Sequence, residues 1–264
     1  MIPCYNGATS RPYPLEEDLR AAGRAGFTHV ELWSEKFERF FATHTVADLQ
    51  QMLRQHKLTA AAIDYVWLDY GNPAGVDNAI AQARALGEIA QAVGCELLLL
   101  VCAGVDLQGR SPEEGINLLA ESVSPVCQAA AEWGCRLVLE PLGGHPLIPE
   151  PLQALAVIER AQQANLGLMW DFFHYHKSGV PLDHIRQIPA ESLWLVHVDD
   201  TPDLPRDTLK DADRVYPGAG ALPLSIYFQI LRDLNYAGPL SVELFNQTYY
   251  KRPINRIASD AYRS

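Results

Sequence analysis

The chain has 264 residues, with 21 Lys+Arg against 32 Asp+Glu and a formal net charge of −11. Hydrophobic residues make up 48% and charged residues 20%, a mix that buries a core without needing disulfides or metal to fold. The acidic balance, with no Lys/Arg cluster, argues against a nucleic-acid partner, because phosphate contacts are made mainly by Lys and Arg.

Two patterns alternate along the chain. Short apolar runs predict eight strands at residues 2–5, 27–33, 59–66, 96–103, 136–141, 166–172, 193–198 and 240–244. Between them, helical periodicity predicts helices at 15–25, 45–56, 77–93, 111–133, 151–164, 183–188 and 224–234, with a weakly helical tail after Tyr250. Thr45 with Asp48 is an acidic variant of a capping box. Ser111-Pro112-Glu113-Glu114 is an N-cap followed by Pro at the first helical position. Gly26, Gly94 and Gly134 stand where helices should stop.

Strands buried on both faces read as unbroken apolar runs, as parallel sheets require. Eight of them alternating with helices predict a (β/α)₈ TIM barrel, a single domain over 1–264. The competing doubly wound sheet usually carries a glycine-rich first turn. Here that turn is Asn6-Gly7-Ala8-Thr9-Ser10.

Cys4, Cys95, Cys102, Cys127 and Cys135 form no CxxC pair and are expected to act as small buried hydrophobes. The start, MIPCYNGATSRPYP, lacks the features of a secretory leader, and no apolar run is long enough to span a bilayer as a helix. The expectation is a cytoplasmic protein with no membrane partner.

In a barrel, a polar residue at the C-terminal end of a strand faces the active rim. Glu140 (VLEPL), Asp171 (LMWDFFHYH), His197 (LVHVDD) and Glu243 (SVELF) end the fifth to eighth strands. Any one alone is an ordinary polar strand end. Four on consecutive strands converge, and three carboxylates with an imidazole suit a divalent cation: Mn²⁺, Mg²⁺, Co²⁺ or Zn²⁺. His174, expected in the loop after Asp171, is placed to polarise a substrate oxygen or hold a proton. Arg214, in the long loop 199–221, either donates to substrate oxygens or forms a surface ion pair with Asp211 or Asp213. Trp33, Tyr65 and Trp67 either wall the pocket or pack in the core. His145 and His176 have no assigned role, and His29, His44, His56 and His184 are read as structural or solvated.

The segments CYNGATS, HVELW, WDFFHYH, HVDDTPD, DADRVYPGAGAL and SVELFNQTYYK resemble the xylose-isomerase-like sugar isomerase/epimerase superfamily over nearly the whole chain. The resemblance implies a (β/α)₈ barrel with one divalent metal held by Glu140, Asp171, His197 and Glu243. It implies that His174 and Arg214 contact substrate oxygens, and that Glu140 and Glu243 move the proton. The expected activity is isomerisation or epimerisation of a small polyhydroxy ketone through an enediolate. The branch that matches best acts on inosose, 2-keto-myo-inositol. A ketose 3-epimerase, a hydroxypyruvate-type isomerase and an inosose dehydratase would share this site, and a barrel that binds a polyol or metal without turnover stays open. The sequence also leaves open whether the chain forms a homo-oligomer.

Overall fold

The computed structural model describes residues 1–103 and 109–264. Eight parallel strands close into a barrel in chain order: β1 (Ile2–Asn6), β2 (His29–Trp33), β3 (Thr59–Leu68), β4 (Leu97–Cys102), β5 (Arg136–Glu140), β6 (Leu166–Asp171), β7 (Leu193–Val198) and β8 (Pro239–Val242). β1 pairs with both β2 and β8, so no sheet edge is left open. The expected (β/α)₈ barrel is the fold.

The helices are α1 (Leu15–Ala25), α2 (Phe37–Phe41), α3 (Val46–Gln55), α4 (Pro73–Val93), α5 (Pro112–Ala131), α6 (Pro151–Ala161), α7 (Phe172–Ser178), α8 (Leu182–Arg186), α9 (Leu224–Asp233) and α10 (Ile254–Arg263). The capping boxes of α3 and α5 form as expected, with Thr45 against Asp48 and Ser111 against Glu114. α4 starts four residues earlier than its periodicity indicates, because Asn72 caps it and Pro73 fills its first position. The tail is a regular helix rather than a weak one. Ile254, Ile257, Ala258 and Ala261 repeat at helical spacing, are buried, and pack α10 on α1.

Apolar burial divides into two layers. Outward-facing strand residues such as Ile63, Val66, Leu98, Leu137 and Val196 pack under the helices. Ala62, Leu97, Leu99, Val101, Val138, Met169 and Leu195 fill the barrel interior. All five cysteines are free and buried, as expected. No helix among the described residues is long and apolar enough to cross a membrane.

Candidate active site

Strand side chains alternate between faces, so the barrel-filling residues dictate what comes next on the inner face. Two residues beyond Val138, Met169 and Leu195 stand Glu140, Asp171 and His197, and two beyond the buried Ser241 stands Glu243. Glu243 lies one residue past the end of β8, not within it. Period two therefore carries all four side chains to the C-terminal rim. There each offers a ligand atom, and these atoms lie within 4.8 Å of one another with every residue buried.

His197 is oriented from behind. Its Nε2 lies 3.0 and 3.1 Å from the two oxygens of Glu31, which is fully buried on β2. With Nε2–H donated to that carboxylate, Nδ1 is the nitrogen that faces the cluster. Nδ1 makes no hydrogen bond, yet it stands 3.1 Å from Glu243 Oε2, 3.5 Å from Asp171 Oδ2 and 3.9 Å from Glu140 Oε1. Burial depresses the basicity of His197, but Glu243 and Glu31 outweigh it and hold the imidazole well above its ordinary value. Burial pushes Glu140 well up. Burial also works against ionised Asp171, but the guanidinium of Arg214 and the imidazole of His174 prevail and hold it far below the usual carboxylate range.

Arg214 is 1% exposed, so it is no surface ion pair. Its Nη1 donates to Asp171 (2.7 Å), Asp199 (2.8 Å) and Glu243 (3.1 Å), and its Nη2 donates to Asp211 (3.0 Å). Phe173 and Phe245 lie 4.6 and 5.5 Å from its guanidinium carbon. The loop carrying it is pinned by Asp200, whose carboxylate accepts from the backbone N–H groups of Thr201, Gly218, Gly220 and Leu222 at 2.8–3.1 Å. Asp200 also pairs by backbone with Val215, directly after Arg214. Gly218 adopts φ +83°, and a Cβ on Gly220 would stand 2.3 Å from the Thr201 carbonyl oxygen.

His174 sits in the first turn of α7 rather than in a loop. The aromatic Phe172 extends the apparent strand in the sequence, but Asp171 caps a helix that starts there, accepting from the His174 N–H at 2.8 Å. Arg214 Nη2 lies 3.1 Å from His174 Nε2 and takes its lone pair, so Nδ1 carries the ring proton. Burial lowers the basicity of His174.

These groups face a cavity of about 380 Å³, whose lining includes Trp33, Tyr65, Trp67, Glu140, His174, Arg214 and Glu243. Trp33, Tyr65 and Trp67 thus wall the pocket. His145 and His176 are not part of that wall. His145 is structural: its Nδ1 accepts from the N–H groups of Leu147 and Ile148, so Nε2 donates to Ala103. Sequence reasoning missed Glu31, Asp64, Asp199 and Asp200. A carboxylate inside the apolar HVELW strand and a tandem Asp after the seventh strand were the available signals.

Whether the cluster suits a cation can be judged from its own charges. The carboxyl groups of Glu31, Asp64, Glu140, Asp171, Asp199 and Glu243 are buried together around one guanidinium and two imidazoles. A buried imidazole nitrogen without a hydrogen-bond partner points among three of them. A divalent cation would supply the missing charge and could be met by that nitrogen, so the residues fit one.

A closed barrel with polar side chains converging on a buried rim cavity defines a barrel enzyme. The chain belongs to the xylose isomerase-like TIM barrel family, whose model matches residues 19–263. It is 28% identical over 253 residues to the inosose isomerase of Bacillus velezensis, covering 94% of this chain and 90% of that protein. It is 31% identical over 179 residues to a 3-dehydroshikimate dehydratase of Pseudomonas aeruginosa, covering 67% of this chain and 28% of that protein. Among solved structures, the IOLI protein with a binding zinc atom superposes with a TM-score of 0.93 at 25% identity, covering 100% of this chain and 96% of that one.

Proposed function

We propose that this single-domain barrel is a divalent-metal-dependent isomerase of a polyhydroxy ketone, with 2-keto-myo-inositol as substrate. The observation that carries the reading is the buried convergence of Glu140, Asp171, His197 and Glu243, with His197 Nδ1 unpartnered among the carboxylates. The full-length likeness to an inosose isomerase and the zinc named in the IOLI structure support it.

In this reading those four residues hold the ion. When bound, it would supply positive charge for the carbonyl oxygen and the neighbouring hydroxyl. The reaction moves a proton between adjacent carbons, and the barrier is removal of a weakly acidic C–H beside the ketone. Glu140 and Glu243 are the proton carriers, one taking the proton from carbon and the other returning it. Arg214 orients substrate oxygens and His174 polarises one of them.

A second reading, loss of water from the same kind of ketone, is supported by the dehydratase relative. One experiment separates the two. Metal-loaded protein and 2-keto-myo-inositol in D₂O, followed by NMR, give an isomeric ketone carrying deuterium next to its carbonyl. A conjugated, ultraviolet-absorbing product indicates dehydration, and unchanged substrate rejects both.

A further inference from the structure

Asp64 takes no part in the chemistry described so far, yet it is a buried carboxyl in the cavity wall, 3% exposed. It reaches that wall through an irregularity in β3. The register of β3 on β4 shifts between Ile63 and Val66, both of which face the helices. Asp64 and Tyr65 lie between them, and both line the cavity. A bulge thus turns two successive side chains inward where a regular strand would present one.

Of the other buried acids near the rim, Glu31 has His197, and Asp171, Asp199 and Glu243 have Arg214; Glu140, which among the described residues has no closer charged contact than His174 at 3.7 Å, belongs to the four-residue cluster. Among the described residues, no donor hydrogen-bonds the Asp64 carboxyl. The neighbouring strand contributes Leu99 and Val101 to the same wall, which offer no donor. A buried carboxyl without a partner is costly, and the cost is recovered only when something in the cavity bonds to it. Burial, reinforced by the charges of Glu243 and Glu31, pushes the Asp64 carboxyl well up. A carboxyl accepts a hydrogen bond from a ligand hydroxyl in either protonation state. An anionic ligand group is a poor match for a wall that holds this acid. A neutral polyol is a good one.

Resting on the polyhydroxy-ketone reading, we infer that Asp64 is a specificity-determining residue that hydrogen-bonds a substrate hydroxyl remote from the reacting carbons. Glu140 and Glu243 work from β5 and the end of β8, whereas Asp64 works from β3. A ring seated with its ketone at the four-residue cluster presents a different edge to the β3 wall. A site built to bond a hydroxyl rejects the analogue lacking it far more strongly than an apolar pocket can, because its own polar group is left unpaired.

The test uses zinc-loaded full-length protein and calorimetric binding of myo-inositol, which has no ketone to react, and of its monodeoxy analogues. Steady-state kinetics with 2-keto-myo-inositol run beside it. Wild type should bind one deoxy isomer roughly 10–100-fold more weakly than myo-inositol. Asp64→Ala should bind myo-inositol as weakly as that isomer, with KM raised and kcat changed less than about threefold. Asp64→Asn, which keeps a donor and an acceptor, should retain most of the discrimination and serves as the check that the fold survives. If Asp64→Ala discriminates among the analogues as wild type does, or loses kcat in proportion to KM, the inference is wrong while the substrate reading stands. If wild type does not turn over 2-keto-myo-inositol, the substrate reading fails and takes the inference with it.

Discussion

His197 and Glu31 meet inside the barrel from strands that are not neighbours, with Nε2 3.0 Å from Glu31 Oε2 and both side chains fully buried. A carboxylate behind an imidazole fixes its tautomer and raises its basicity toward whatever the other nitrogen faces. Glu31→Gln should therefore weaken zinc or manganese binding roughly 10–100-fold while kcat at saturating metal falls much less. Competition titration against a chromophoric chelator measures the first, and kinetics at high metal the second. Unchanged metal affinity would mean that the pair only fills space.

Stripping the protein with EDTA should abolish turnover of 2-keto-myo-inositol, and Mn²⁺ or Co²⁺ should restore it. Metal should also raise the melting temperature, because an ion that binds only the folded chain stabilises it by mass action. Full activity in thoroughly metal-free protein excludes the proposed centre.

Glu243→Gln removes a proposed proton carrier but keeps the side-chain shape. Its kcat should fall roughly 10²–10⁴-fold, and incorporation of solvent deuterium should fall in parallel. If exchange into substrate continues at the wild-type rate, Glu140 alone performs the abstraction.

Gly220→Ala should displace the loop pinned by Asp200, since a Cβ there would stand 2.4 Å from Asp200 Oδ1. Arg214 shares that loop. The expected outcome is a tenfold or greater loss of kcat/KM with only a small change in melting temperature. An equal loss of stability and activity would instead indicate general unfolding.

Asp18 and Lys36 form a buried pair under the first turn of the barrel rim, with Lys36 Nζ also donating to the Gly7 and Ser10 carbonyls. Burial, only partly offset by Lys36, pushes Asp18 up to about 7 from 3.8. Between those values the unfolded chain has released a proton that the folded chain retains. Stability from this group is therefore full below the unfolded value and declines as pH rises to about 7. Relative to Asp18→Asn/Lys36→Met, wild type should lose stability progressively from pH 4 to 7, read by urea unfolding. A difference independent of pH would show that Asp18 ionises normally.

The barrel was legible because unbroken apolar runs and capped helices recur with few exceptions. The four clustered residues were legible because each follows an apolar strand directly, and their convergence needs only the strand order. His174 was misplaced because Phe172 looks like more strand, and only the cap at Asp171 reveals the helix. Glu31 was passed over because its partner lies 166 residues away. Asp64 was invisible because strict alternation gives no hint of a bulge. The surroundings of Arg214 depend on a loop folded by Asp200, whose four backbone partners no local pattern announces.

The proposed reacting groups are unevenly spread over the barrel. Every proposed metal ligand and proton carrier, with Arg214 and His174, lies after residue 135, whereas Trp33, Asp64, Tyr65 and Trp67 come from the first three strands. On the proposed function, changes in the first half would redraw much of the cavity contour without replacing the proposed reacting groups. Exchanging the first half between related barrels is the natural route to a new preference, provided Glu31 travels with it.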